Sequence, residues 1–312
     1  MAFAIYSDPS RARLVFLDDD LSAAIAALAR NNVLVLPQGF VPTQRLSILA
    51  DAVTVETSTR VAVDLGPDVT NFRIAGSGSA HVTTSGAVAS IFAGDGGLVL
   101  SGGAGRDYGH GGAGFDVLDG GAGDDKLYGG AGDDILVTGT GRDYVAGGAG
   151  DDLIAVSEGR NTVYGGDGAD TILIDCDGAQ TLLVYDFDAA SGDRLMLAGM
   201  ERDDLTAFLT QAQIRSASGQ AVLTWQGLTV QVFGTDTSVF SAQNFVAVTD
   251  DNAPAFVTFA DFLASGLDDV VDRVRIGDTL WRLRDGQPPH EDFREQDGSG
   301  QWWSPDYLVV VA

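Results

Sequence analysis

Residues Gly102–Leu173 read GGAGRDYGH, GGAGFDVLD, GGAGDDKLY, GGAGDDILV, TGTGRDYVA, GGAGDDLIA, VSEGRNTVY and GGDGADTIL, eight consecutive nine-residue units in unbroken register. Glycine dominates positions one, two and four, where it permits backbone angles that side-chained residues avoid, so the first six residues of each unit can turn tightly. The last three can form a short strand whose middle residue points to one side. That residue is Leu118, Leu127, Leu136, Val145, Ile154, Val163 or Ile172 in the last seven units; the first has Gly109 instead. A glycine-rich disordered tract would not need an apolar residue at the eighth position of unit after unit. Two units then make one coil with a turn at each edge, and coils stack at about 4.8 Å. The expected fold is all-β dominated, a parallel β-roll or β-solenoid with glycine turns stacked along its edges and small mixed α/β end caps.

The metal expectation comes from position six. Asp107, Asp125, Asp143 and Asn161 fall on one edge of the solenoid, and Asp116, Asp134, Asp152 and Asp170 on the other. Stacked turns bring these carboxylates together with bent backbone carbonyls, a set of hard oxygens that suits Ca²⁺ better than Mg²⁺. The carbonyls expected to contribute are those of Gly111, Ala113, Gly129, Gly130, Ala131, Gly132, Gly147, Gly148, Ala149, Gly150, Gly166 and Gly168. The second edge keeps glycine at positions one, two and four throughout, whereas the first degrades to TGTGRD and then VSEGRN. Three sites are expected on the second edge. On the first, Asp107/Asp125 should make a good site, Asp125/Asp143 a fair one and Asp143/Asn161 a weak or empty one, which gives about five or six ions.

This nonapeptide, GGxGxDxUx with U a bulky apolar residue, is identified as the calcium-binding repeat of RTX (hemolysin-type) proteins. Leu183–Leu197 (LVYDFDAASGDRLML) resembles the segment that follows such repeats in RTX proteins and in the C-terminal domain of serralysin-like proteases, and Phe240–Val246 (FSAQNFV) is similar to a flank of that domain. The resemblance covers 102–173 strongly, 70–101 and 183–247 moderately, and neither end. It implies a bacterial protein exported unfolded by a type I secretion apparatus that reads an uncleaved C-terminal signal. An acidic chain ending in the short apolar stretch YLVVVA matches such cargo.

Composition bounds the partners. The 312 residues carry a formal charge of -26. Within the repeats, thirteen acidic residues face Arg106, Lys126, Arg142 and Arg160, a net of -9, so the coils repel themselves until cations bind. Phosphate-bearing nucleic acid is excluded as a partner on the same ground. Cys176 is the only cysteine, which rules out an intrachain disulfide. No Sec-type signal and no run of eighteen apolar residues for a membrane span is visible. Arg106, Arg142 and Arg160 at position five, facing Asp124, read either as a solvated ladder that offsets carboxylate repulsion or as an anion-binding strip.

Proline marks the organisation, because it is absent between residues 67 and 254 and strand ladders tolerate almost none. The expected units are an N-terminal mixed cap (1–60), lead-in solenoid turns (61–101), the calcium-binding β-roll (102–182), a β cap with helix and hairpin (183–250) and a C-terminal extension carrying the secretion signal (251–312). Within them, Leu21–Arg30 and Asp203–Gln213 read as helices. Val33–Leu36 and Val53–Val63 read as strands, Val222–Trp225 and Leu228–Phe233 as a hairpin around Gln226 and Gly227, and Phe259–Val271 as an amphipathic segment. Asp186, Asp188 and Asp193 are placed to close the last coil. Trp281, Phe293, Trp302, Trp303 and Tyr307 read as the core of a small terminal domain or as rings that stack on sugars.

No HExxH helix and no GxSxG elbow is present, so neither zinc-protease nor lipase-type serine chemistry has its residues. A lyase or epimerase group built from His81, His110, Tyr108 and Arg106 is set against the reading that these are ordinary exposed residues of a solenoid. The expected function is a secreted, extracellular, calcium-binding protein with a structural or adhesive role at the cell surface or in matrix, able to self-associate. The alternative is a protein that binds or modifies cell-surface polysaccharide and whose repeats serve export and folding.

Overall fold

In the computed structural model, residues 52–84, 89–175, 180–198, 202–241 and 243–247 are described, with isolated strands at 3–6, 15–17, 32–36, 46–48, 255–256, 273–276, 279–283, 294–295, 302–303 and 308–310. The expected helix at 21–30 and the amphipathic segment at 259–271 lie outside the described residues.

Two parallel ladders form the body, because each coil contributes one strand to each of two facing sheets. The larger sheet runs through Asn32–Val35, Ala52–Glu56, Asn71–Ala75, Ala89–Phe92, Asp107–Ala113, Lys126–Ala131, Tyr144–Ala149, Gly159–Asp167, Gln180–Val184 and Leu228–Phe233. The smaller sheet runs through Leu46–Ile48, Val61–Leu65, Ala80–Thr84, Leu98–Ser101, Val117–Asp119, Ile135–Val137, Leu153–Val156, Thr171–Asp175, Arg194–Ala198 and Phe245–Ala247. Through the repeats the register is 18 residues, as in Lys126↔Tyr144 and Ile135↔Leu153. The chain is an all-β parallel solenoid in which odd units supply the larger sheet and even units the smaller one. Parallel pairing extends back to Asn32–Val35, inside the segment expected as a mixed cap.

Every apolar position-eight residue is buried between the sheets, from Leu118 at 0% exposure to Ile172 at 2%. Gly109 is the exception for a steric reason: a Cβ there would lie 2.8 Å from Leu100 Cδ2 and 3.4 Å from Leu127 Cδ2, so neighbouring leucines already fill its place. On the smaller sheet the outward positions Val117, Ile135, Val137, Ala155 and Leu173 are buried as well. The core thickens toward both ends, with Phe72, Ile74 and Ile91 before the repeats and Phe208, Phe240 and Phe245 after them.

Between Gln180–Val184 and its partner Leu228–Phe233 the chain inserts a helix, Arg202–Gln211, and the hairpin Gln220–Trp225/Leu228–Phe233, close to the expected boundaries. The helix turns Leu205 and Phe208 into the core, and Phe208 meets Trp225 edge-on at 4.9 Å and stacks on Phe245 at 5.6 Å. These rings close the C-terminal mouth of the solenoid. The apolar end Leu308–Val310 is a strand, paired with Thr279–Leu283 in a separate four-stranded sheet. Replacing Phe208 with Ala should cost about 3–5 kcal/mol, the usual range for emptying a buried aromatic position. Thermal melting in saturating calcium measures it, and an unchanged midpoint would show that the helix is not a cap.

Candidate metal centre

The position-six residues form a buried ladder along each edge. On the even edge Asp134 Oδ1 accepts from the Asp116 amide (2.8 Å), Asp152 Oδ1 from Asp134 (2.8 Å) and Asp170 Oδ1 from Asp152 (3.0 Å). On the odd edge Asp125 Oδ1 accepts from Asp107 (2.7 Å), Asp143 Oδ1 from Asp125 (2.9 Å) and Asn161 Oδ1 from Asp143 (3.1 Å). One carboxylate oxygen is thus spent on holding the coil below. The second oxygen of Asp116, Asp125, Asp134, Asp143, Asp152 and Asp170 is buried without a hydrogen-bond partner.

The glycines explain where those oxygens go, and they divide into two kinds. Positions two and four need the backbone: Gly130 and Gly132 sit at φ of +121° and +123°, where a side chain is strained. Position one needs the room instead. A Cβ on Gly129 would lie 2.3 Å from Asp134 Oδ2 and 2.6 Å from the Gly147 carbonyl, and one on Gly147 would lie 2.1 Å from Asp152 Oδ2 and 2.6 Å from the Gly165 carbonyl. Gly111 and Gly165 repeat the pattern against Asp116 and Asp170. Each even turn therefore holds an orphaned carboxylate oxygen in a glycine cradle, and the carbonyls of Gly129, Gly147 and Gly165 lie beside the cradles of Gly111, Gly129 and Gly147. Among the described residues no three carboxylate, histidine or cysteine side chains converge, so the donors are one or two carboxylates plus main chain. Buried hard oxygens carrying uncompensated negative charge suit a hard divalent cation. Of the other expected carbonyls, those of Ala131 and Ala149 already accept from the Gly114 and Gly132 amides, both at 2.7 Å, which leaves each one lone pair.

Asn161 departs from this pattern. Its Nδ2 donates to the Ser157 carbonyl at 3.0 Å, and the Ser157 amide donates to Thr138 Oγ1 at 3.0 Å. The Asn161 amide and the Thr138 hydroxyl thus both bond the Ser157 backbone, in the very turns that have lost their glycines. At the start of this edge, Asp107 Oδ2 accepts from Thr84 Oγ1 (3.3 Å) and the Gly103 amide (3.2 Å).

Two features escape a reading by repeat position. Asp193 continues the even ladder beyond the last unit, accepting from the Asp170 amide at 3.0 Å through Oδ1 and from the Asp188 amide at 2.7 Å through Oδ2. It stands 23 residues after Asp170 rather than 18, so the repeat spacing conceals it, although the flank had marked it as a closing residue. Asp186 caps the same end by accepting from the Gly165 (3.0 Å) and Gly166 (3.1 Å) amides. A second carboxylate ladder lies at position five, where Asp133 Oδ1 takes the Asp151 amide (2.9 Å) and Asp151 Oδ1 the Ala169 amide (2.8 Å). Arg106 pairs with Asp124 at 3.3 Å on the exposed surface. His81 belongs to the smaller sheet while Tyr108 and His110 belong to the larger one, so the grouping with Arg106 is not brought together.

Burial pushes the carboxyls of Asp116, Asp125, Asp134, Asp143 and Asp152 up to about 7 and that of Asp170 to about 6, only partly opposed by the ladder hydrogen bonds. The ordinary value is 3.8.

The family model of the RTX calcium-binding nonapeptide repeat (4 copies) matches residues 101–136 and again 137–172. Repeats of that family bind calcium, which is the hard cation the cradles suit. No curated protein matches the chain. Among solved structures the extracellular lipase LipA from Serratia marcescens aligns at 11% identity over 63% of this chain, with a TM-score of 0.24. The chain spans 40% of that lipase's length, and a likeness this remote carries nothing about activity.

In chelator, these carboxyls hold protons in the folded chain and lose them in the unfolded one between pH 3.8 and about 7. Folding takes up protons across that window, so metal-free stability is fullest at its acid end and is lost as pH rises through the folded values. Metal-free protein should therefore regain sheet circular dichroism when pH falls from roughly 8 to roughly 5; a flat response would contradict the buried ladder. Asn161→Asp, in turn, replaces the donor with an oxygen and should raise the calcium stoichiometry by one, read by titration calorimetry. An unchanged count would mean the degraded turns cannot be converted.

Proposed function

We propose that this chain, whose residues 101–172 are an RTX calcium-binding repeat array, is a secreted protein that folds on extracellular calcium and serves a structural or adhesive role at the cell surface or in matrix. The carrying observation is the row of buried carboxylate oxygens without protein partners, set against a position-one glycine at Asp116, Asp125, Asp134, Asp152 and Asp170. In our reading Asp116, Asp134, Asp152 and Asp170 hold ions on the even edge with the carbonyls beside Gly111, Gly129, Gly147 and Gly165, and Asp125 and Asp143 do so on the odd edge with Asp107. The total is about five or six. At the affinities of extracellular calcium modules, ~10⁻⁴ to 10⁻³ M, occupancy follows the compartment. At ten times the dissociation constant each ion contributes ~1.4 kcal/mol. The chain is unfolded and self-repelling before export and rigid after it, which suits a type I secretion apparatus.

The structural role is supported by shape and charge: a long rod with a dense acidic surface meets neighbours along its sides. The outermost described strand at one end of the larger sheet, Gln213–Ala217, is antiparallel, largely exposed and carries Arg215, features that blunt end-to-end pairing. No described helix is long and apolar enough to cross a membrane.

Asp134→Ala should lower bound calcium more than Asp143→Ala, because Asp134 lies between intact glycine turns while Asp143 borders the Thr138 and Val156 turns. Chelation should remove the sheet signal of the repeats yet leave that of the coils before Gly102, and light scattering should report association only with calcium. Equal losses in the two variants, or scattering indifferent to calcium, would refute the reading.

A further inference from the structure

The outer face of the larger sheet carries a continuous ridge of aromatic rings. Tyr108 lies 5.3 Å from Tyr128, Tyr128 is 5.6 Å from Tyr144, Tyr144 is 5.5 Å from Tyr164 and Tyr164 is 5.1 Å from Tyr185. Phe92 joins at one end (5.5 Å to Tyr108) and Phe233 at the other (4.3 Å to Tyr185). Each coil supplies a ring, alternately from position seven and position nine between Tyr108 and Tyr164, and the register sets Tyr108 beside Lys126, Tyr128 beside Ala146 and Tyr144 beside Thr162. The rings turn their faces toward one another, at 39–41° along the first three tyrosine contacts and 10° in the fourth. Tyr108, Tyr128, Tyr144 and Tyr164 are half-buried and Tyr185 is 40% exposed.

We infer that this ridge is a site of oxidative tyrosine coupling, which ties neighbouring coils covalently when an extracellular peroxidase with hydrogen peroxide supplies the oxidant. Each of two touching phenols loses one electron and one proton to become a phenoxyl radical. The radicals join ortho carbon to ortho carbon, and the two displaced ring protons return the oxygens to phenols. Two tyrosines and one peroxide give one dityrosine and two waters. The packed rings favour this because radical pairing needs contact, which the stack provides before any oxidation occurs. The linked tyrosines are separated by 16 to 21 residues, so each tie closes a loop of about one coil and restrains the unfolded chain as a disulfide would. Cys176, as the only cysteine, offers no intrachain disulfide of that kind. The inference rests on stacked coils, whichever cation orders them.

The test treats dilute full-length protein, in calcium, with peroxidase and hydrogen peroxide, and maps the monomer by peptide mass spectrometry and dityrosine fluorescence. Expected are peptides short of two hydrogens that join Tyr108 to Tyr128, Tyr128 to Tyr144, Tyr144 to Tyr164 or Tyr164 to Tyr185, and a coupled monomer that melts higher than the untreated one. Tyr128→Phe, with its fold checked by circular dichroism, should lose the first two links and keep the other two. Links found only between molecules, the same links at equal yield in urea-unfolded protein, or no rise in melting temperature would each overturn the proposal.

Discussion

The whole structure turns on carboxylates buried in a row with one oxygen bonded and the other not. A buried unpaired charge costs several kcal/mol even after relaxation, so a stack of them folds only with protons or cations in place. The ladder bond from each Asp to the amide one coil below fixes the stacking distance and aims the second oxygen at position one. A side chain there would occupy the same space, hence the glycine. Net acidity, glycine content and metal dependence thus follow from a single geometric arrangement repeated along the rod.

That slot is filled differently along the axis. Before the repeats, the residues in register with Asp116 are Leu98, Ala80 and Val61, all buried and apolar, and the residue in register with Asp107 is Ala89. These coils close with hydrophobic side chains and ask nothing of a cation. In the repeats the slot takes a carboxylate, and at Asn161 an amide whose donor hydrogen replaces the positive charge. Apolar filling, ion filling and amide filling all preserve the same backbone register, so one solenoid runs from metal-independent to metal-dependent coils without a break in pairing.

The nine-residue period, the position-eight core and the two unequal edges were legible because they recur at fixed spacing, where strand alternation and coil length leave one solution. Other features do not recur that way. The division of labour among glycines is invisible in composition, since Gly129 and Gly130 look alike and differ only in what surrounds them. The aromatic ridge alternates between positions seven and nine, so no single position of the unit reads as aromatic. Asp193 sits beyond a five-residue insertion relative to the register. The coil before residue 61 has no glycine-carboxylate unit, and its apolar residues, paired at offsets of 19 and 21 residues, resemble any β-rich stretch, unlike the lead-in turns expected over 61–101.

Neighbour-only contacts give such a rod a direction of assembly. In a stacked array each coil is stabilised by the coils above and below, and order propagates from whatever part is already formed. The coils before Gly102 carry the larger core, with Phe72, Ile74 and Ile91, and among their described residues no buried carboxylate oxygen lacks a partner, so they present a finished edge. Asp116 already bonds the Leu98 amide of that edge at 2.5 Å, which makes it the first rung on which a repeat can be laid. Each added coil brings one carboxylate per edge, save the last with Asn161 on the odd edge, and thereby a further demand for charge compensation. The helix and rings around Phe208 then close the far mouth, which would otherwise expose the last apolar layer. Charge compensation is demanded anew at each carboxylate coil, whereas the apolar coils before them demand none.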